Sequence, residues 1–205
     1  MSSIFSDPGW RRGGTLLNSE TIEYSDPPTN LVPSAGTELV GQVKVFQDIN
    51  PSTGQRYSNR LVYAVAARYV GDDLLDRDAL TGYAGRFVVL DDGLGTFDAI
   101  DGDNAAVVAG KCVGVVDEYL SVDVRKNDIV WVVVKGPVNC RTASGSALAA
   151  GVACTIGSAG LLSAASVDDV SAAPHVGLTL EAAGQLNGQA TGDDTQRVNL
   201  LSQHV

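Results

Sequence analysis

Apolar positions in this chain gather into short runs separated by Gly, Asn, Asp and Pro. The densest is Asp128-Ile-Val-Trp-Val-Val-Val-Lys-Gly-Pro-Val138, with no polar residue between Ile129 and Val134. β-Branched side chains are stiff at χ1 and suit a pleated surface, so the run predicts a strand. It does not alternate, which predicts that both faces are covered, one by the core and one by a neighbouring element or subunit. Gly136-Pro137 is expected to end or bend it, because proline donates no ladder hydrogen bond.

Shorter strands follow. Val138-Asn-Cys-Arg141 alternates, Val152-Ala-Cys-Thr-Ile156 places Val152, Cys154 and Ile156 on one face, and Gly157-Ser-Ala-Gly160 connects tightly to Leu161-Leu162. Ser166-Val-Asp-Asp-Val170 has a capping Ser with an acid three residues on and predicts a short helix stopped by Pro174. Val176-Gly-Leu-Thr-Leu180 returns to period two. A loop rich in Gly, Asn and Asp from Gly184 to Asp194 precedes a last strand, Arg197-Val-Asn-Leu-Leu201.

Upstream, Gln42-Val-Lys-Val-Phe46 alternates with Val43 and Val45 on one face, and Leu61 to Tyr69 is a long apolar stretch. Asp72 to Leu80 predicts a short helix with acids in its first turn, where the macrodipole favours them. Arg86-Phe-Val-Val-Leu90, Thr96-Phe-Asp-Ala-Ile100 and Lys111-Cys-Val-Gly-Val-Val116 complete the strands, each bounded by Gly/Asp turns. Strands at this spacing, with at most short helices, predict an all-β fold: a compact β-barrel or β-sandwich spanning 41–205, divisible into 41–110 and 111–205.

Residues 1–40 follow no such period. Pro and Gly interrupt them every few positions, yet Ile4, Phe5, Trp10, Leu16, Leu17, Ile22, Tyr24, Leu31 and Val32 supply spaced apolar anchors. The pattern predicts an extended N-terminal arm that lies along another surface. The alternative is an irregular lead-in folded back on its own domain.

Composition narrows the function classes. A net charge of −10 and a pI near 4.4 argue against nucleic acid and against anionic membrane surfaces as partners. No stretch approaches the roughly 20 apolar residues of a membrane helix, and the first residues do not read as a secretory signal. Cys112, Cys140 and Cys154 are odd in number and widely spaced within strand-like segments, which predicts buried reduced thiols from a reducing cytoplasm.

Chemistry is sparse. The two histidines, His175 and His204, offer no triad, and His175 after Pro174 reads as a loop residue. G-x-S-x-G, phosphate-loop and dinucleotide patterns are absent. Asp101, Asp103 and Asn104, with Asp91, Asp92 and Asp98 nearby, carry the oxygen donors calcium prefers, but the spacing lacks the glycine and distal Glu of an EF-hand, so turn residues are the better reading. No catalytic residue, metal or cofactor is assigned, and the chain is read as a non-enzyme.

The C-terminal half resembles the tailed-bacteriophage capsid decoration (cement) and head-fibre proteins. The resemblance rests on Asp128-Ile-Val-Trp-Val-Val-Val-Lys-Gly-Pro-Val138, Ala149-Ala-Gly151, Gly157-Ser-Ala-Gly160, Val176-Gly-Leu-Thr-Leu-Glu-Ala182 and Arg197-Val-Asn-Leu-Leu201, led by Gly110-Lys-Cys-Val-Gly-Val-Val116. It covers roughly 110–205 and is a pattern of glycines and apolar positions. It implies a virion protein on the outer surface of the expanded capsid, bound to the major capsid protein, commonly as a homotrimer, and stabilising the head against internal DNA pressure. In that setting Ile4, Phe5, Trp10, Arg11 and Arg12 are the expected capsid-contact residues, the last two as adjacent cations in an acidic chain. Trp131 is a candidate for a subunit interface, with core burial as its alternative. A head fibre, tail component or host-surface-binding module would share the β-domain and differ in copy number per particle.

Overall fold

The computed structural model describes residues 12–14, 16, 40–69, 84–91, 98–101, 112–120, 128–142, 148–157, 160–165, 175–182, 185–186, 189–190 and 195–201. These contain twelve strands and no helix: β1 (Val43–Ile49), β2 (Arg56–Tyr69), β3 (Phe87–Asp91), β4 (Asp98–Asp101), β5 (Cys112–Val116), β6 (Ile129–Arg141), β7 (Ala153–Ile156), β8 (Leu162–Ala164), β9 (Gly177–Thr179), β10 (Gln185–Leu186), β11 (Gln189–Ala190) and β12 (Thr195–Leu200). The all-β expectation holds. The helices expected over 72–80 and 166–170 fall outside the described residues.

Ten strands form one sheet in the order β1-β2-β4-β3-β5-β6-β12-β9-β7-β8, and β10 pairs with β11 in a separate ladder. Every ladder is antiparallel except that between β2 and β4. The sheet as a whole is open, with β1 and β8 at its ends, and is not a single closed barrel. It folds over because β2 pairs with β6 as well as with β4, although three strands separate β2 from β6 in the sheet order.

β6 holds this arrangement together. Ile129, Trp131 and Val133 point into one core cluster, and Val130, Val132 and Val134 into a second. A strand with two dry faces needs apolar residues at every position, which is why the run does not alternate. Each fully buried side chain of this kind contributes about 1.5–3 kcal/mol. Residues of both 41–110 and 111–205 line both clusters.

Gly136 does not end the strand. β6 continues to Arg141, pairing with β2 and β5 through its first half and with β12 through its second. The register shifts opposite Tyr63 and Ala64, and Gly136 has φ +100°. Inward-facing positions change from odd (Ile129, Trp131, Val133) to even (Val138, Cys140) across this irregularity. A Cβ at Gly136 would collide with the Leu61 carbonyl oxygen, so the close crossing of β2 and β6 requires glycine there.

In β1 the face carrying Val43 and Val45 is the outer one, and Phe46 and Asp48 face inward. Phe46 packs edge-on against Trp131 with ring centroids 5.3 Å apart. Trp131 itself is 1% exposed within the first cluster, so core burial is the reading that fits it here.

Candidate functional site

Five charged side chains gather where the N-terminal segment, β1, the turn after β5 and β12 converge. Asp117 and Glu118 follow directly on the apolar strand β5, and Asp48 and Arg197 lie in β1 and β12. Arg12 reaches them from far upstream in sequence. The five side chains are 0–3% exposed.

Arg12 donates from Nε to Asp117 Oδ1 at 3.0 Å, and its Nη2 lies 2.9 Å from the same oxygen. Nη2 also donates to Glu118 Oε1 at 3.2 Å. The Gly13 N–H donates to Asp117 Oδ2 at 2.6 Å, and the Tyr119 N–H to Oδ1 at 3.3 Å. Gly13 adopts φ +98°, with its Cβ position only 3.0 Å from the Tyr119 carbonyl oxygen, so glycine permits this approach. The Arg12 guanidinium also lies 4.8 Å from the Tyr119 ring centroid. Three residues on, the Leu16 N–H donates to the Ile129 carbonyl at 2.7 Å, and Leu16 packs against the first core cluster.

On the far side Arg197 donates to Asp48 through Nη2 and to Asn139 Oδ1 through Nη1 at 3.2 Å. The β6–β12 register sets Arg197 opposite Asn139. Ser58 Oγ donates to Asp48 Oδ2 at 2.6 Å, and the Arg197 guanidinium lies 5.1 Å from the Tyr57 ring centroid. Glu118 joins the two halves. Its Oε2 accepts the Asn139 N–H at 2.8 Å and lies 3.8 Å from Arg197 Nη1.

Burial opposes every charge in this cluster, and the arrangement decides which ones it can hold. For both Arg12 and Arg197 the carboxylates outweigh desolvation and hold the guanidinium above its ordinary value. For Glu118 desolvation wins over Arg12, Arg197 and the Asn139 N–H, so its carboxyl is held above the usual range. Burial, with Glu118 next, raises the Tyr119 phenol as well. Chemically the cluster is a clamp: its carboxylates and guanidinium groups bond to one another, to the N–H groups of Gly13, Tyr119 and Asn139, and to the side chains of Ser58 and Asn139.

A second feature lies outside the clamp. A shallow cleft of about 70 Å³ is lined by Gln47, Arg56, Ser58, Asn59, Arg60 and Leu61, well below the roughly 300 Å³ at which small-molecule pockets begin.

Ile4, Phe5, Trp10 and Arg11 lie outside the described residues. Arg12, expected at a capsid contact, is instead turned into its own domain, as the folded-back alternative requires for this short stretch. His175 is exposed just before β9, and His204 lies outside the described residues. Asp91, Asp98 and Asp101 belong to β3 and β4 by their backbone, whereas Asp92, Asp103 and Asn104 lie outside. Among the described residues no group of three or more His, Cys, Asp or Glu gathers as a metal site. Cys140 and Cys154 are buried free thiols.

The clamp residues Asp48, Asp117, Glu118 and Arg197 do not stand out in the sequence. The faint signal is charge in apolar company: two acids directly after Val113-Gly-Val-Val116, and an arginine inside a strand.

No family model matches the chain, and no curated protein does. Among solved structures, the head fibre gp8.5 N base of bacteriophage phi29 is similar at TM-score 0.38 and 16% identity, over 68% of this chain and 94% of that one.

Proposed function

We propose that the chain is a structural component of a tailed-phage virion. In this reading it binds the outside of the expanded capsid and cements neighbouring capsomers, with the major capsid protein and copies of itself, as a homotrimer, for partners. The resemblance of residues 110–205 motivates the class, and the observation that carries the mechanism is the anchoring of Arg12, Gly13 and Leu16. Tied through Arg12, Gly13 and Leu16 to the β-domain, the chain gives residues 1–11 a fixed point from which to act. Eleven residues reach at most about 40 Å, enough for Ile4, Phe5, Trp10 and Arg11 to engage a neighbouring capsomer.

The work done is thermodynamic and needs no bond chemistry. A protein that binds only the expanded lattice stabilises that state by mass action. Sedimentation with expanded and unexpanded heads tests this, using the full chain and a form lacking residues 1–11, which keeps the clamp intact. Saturable, high-copy binding to expanded heads that weakens on truncation supports the reading. Binding to neither form overturns it, and low-copy binding moves the protein to a fibre or tail position.

A further inference from the structure

The seat that receives Arg12 is built by the β-domain alone. The turn after β5 is set by backbone bonds of its own: the Asp117 N–H donates to the Trp131 carbonyl and the Leu120 N–H to the Asp117 carbonyl, each at 3.1 Å. The Tyr119 N–H fixes one oxygen of Asp117, while the Asn139 N–H and Arg197 fix Glu118. Beside these two acids lies the Ile129 carbonyl, on the edge of β6 from which β5 has departed.

The N-terminal segment fills this seat with three residues. Arg12 brings the cation, and Gly13 brings an N–H at φ +98°, a conformation and a close approach that suit glycine. Leu16 brings a second N–H and a side chain for the first core cluster. Key and seat are separate pieces of chain, and the covalent link between the key and β1 runs from Leu17 to Val40.

That link is far longer than its end points require. The Leu16 N–H meets β6 on the edge that also takes the Asp117 N–H, whereas the Gly41 N–H donates to the Ala66 carbonyl on the edge of β2 that β1 occupies. β6 and β2 are paired and stand between the two points, so three inter-strand spacings of about 4.8 Å set them roughly 15 Å apart. About five extended residues would cover that distance, and the chain provides 24. At full extension those residues reach about 80 Å, well beyond the roughly 40 Å diameter of a globule of this length. Chain length therefore does not confine the key to its own seat.

We infer that the seat formed by Asp117, Glu118 and the Ile129 carbonyl takes Arg12, Gly13 and Leu16 of a second copy as well as its own, so that neighbouring copies are joined by exchanging this segment. Exchange keeps every bond of the clamp, because an identical piece of chain makes it. Attachment to the same chain gives a copy's own segment an advantage equal to a local concentration in the millimolar range. Copies held side by side meet that concentration, and a dilute chain does not. The inference rests on the self-association in the function proposed above, and its test needs no capsids.

Two full-length variants separate key from seat. Arg12→Ala keeps the seat and loses the key, whereas Asp117→Asn/Glu118→Gln keeps the key and neutralises the seat with little change of shape. Circular dichroism verifies folding, and light scattering after size exclusion gives the mass. Each variant alone is expected to be monomeric, and their equimolar mixture to show about twice that mass. A mixture of folded variants that stays monomeric overturns the inference. So does either variant associating alone as strongly as the mixture, which would place the contact elsewhere. Where a variant does not fold, the unchanged chain decides. Refolded from urea at concentrations rising to about 1 mM, it should give a growing dimer fraction that excess synthetic peptide of residues 8–20 suppresses. Monomer throughout, or a dimer indifferent to the peptide, overturns the inference. A chain that exchanges nothing yet sediments with expanded heads would remove the exchange and leave the virion reading standing.

Discussion

Arg12 and Asp117 lie 105 positions apart and meet through two nitrogens of one guanidinium, Nε at 3.0 Å and Nη2 at 2.9 Å from a single carboxylate oxygen. The other oxygen of Asp117 accepts the N–H of Gly13. One carboxylate therefore holds both the side chain and the backbone of the N-terminal segment. Because the pair is almost fully desolvated, its main energetic consequence appears when one partner is removed and the other is left charged in a dry site.

Arg12→Ala is expected to cost about 3–5 kcal/mol of folding stability, since Asp117 loses its cation and Glu118 one of two. Adding Asp117→Ala should cost less than the sum of the single changes, because the pair interacts directly. Urea denaturation of the four forms measures the coupling; strict additivity would mean the contact carries no energy.

Glu118 sets a pH dependence of definite sign. Its carboxyl is held above the ordinary value of 4.5, so the folded chain keeps this proton more readily than the unfolded chain does. The stability it contributes is full below 4.5, declines as pH rises from there, and is gone above its folded-state value. Glu118→Gln removes that decline while leaving Arg12 with Asp117 and Arg197 with Asp48. Melting temperatures between pH 4.5 and neutrality should therefore fall less steeply in the variant, and parallel curves would refute the assignment.

Gly136→Ala and Gly54→Ala separate collision from backbone strain. Both glycines have positive φ, but a Cβ at Gly54 meets nothing within 4 Å, whereas at Gly136 it runs into β2. The change at Gly54 should cost about 1–2 kcal/mol. At Gly136 the strand crossing must also move, so the loss should be clearly larger by chemical denaturation.

The buried thiols should be inert. Burial pushes Cys140 well above its usual value, with Cys154 adding to the rise, and it pushes Cys154 up to about 12 despite a bond from the Gly177 backbone. Thiolate is the reactive form, so alkylation at neutral pH followed by peptide mapping should find both unmodified until the protein is unfolded. Rapid labelling of either in the native state would contradict the packing around β6, β7 and β9.

Much of the fold can be read from local pattern, because strand identity depends on side chains a few positions apart. The unbroken run Ile129 to Val134 signals two buried faces, and the structure supplies a cluster on each. Continuation of β6 past Gly136-Pro137 is not legible. It depends on β12 pairing with the second half and on β2 passing close to the glycine, both set by residues distant in sequence. The Gly184–Asp194 loop hides the small β10–β11 ladder because two residues per strand are too few to show a period. The clamp is illegible for the same reason as β6: Asp48, Asp117 and Arg197 look like ordinary strand-end and surface charges until the sheet brings them together. Arg12 stands out in the sequence as a cation in an acidic chain, yet its partners Asp117, Glu118 and Tyr119 belong to its own domain.

β6 also determines how force would pass through the molecule. Leu16 is bonded to Ile129 at one end of the strand, and the turn holding Arg12 is bonded to it through the Asp117 N–H and the Trp131 carbonyl. The same strand carries β2 and β5 along its first half and β12 along its second. Tension applied to the N-terminal segment thus enters a single β-strand and is spread as shear over ladders on both sides of Gly136. The segment's own few contacts stand in series with the ladders, so a tug at residue 12 loads the ties of Arg12, Gly13 and Leu16 first and the rows of hydrogen bonds in the sheet only after them.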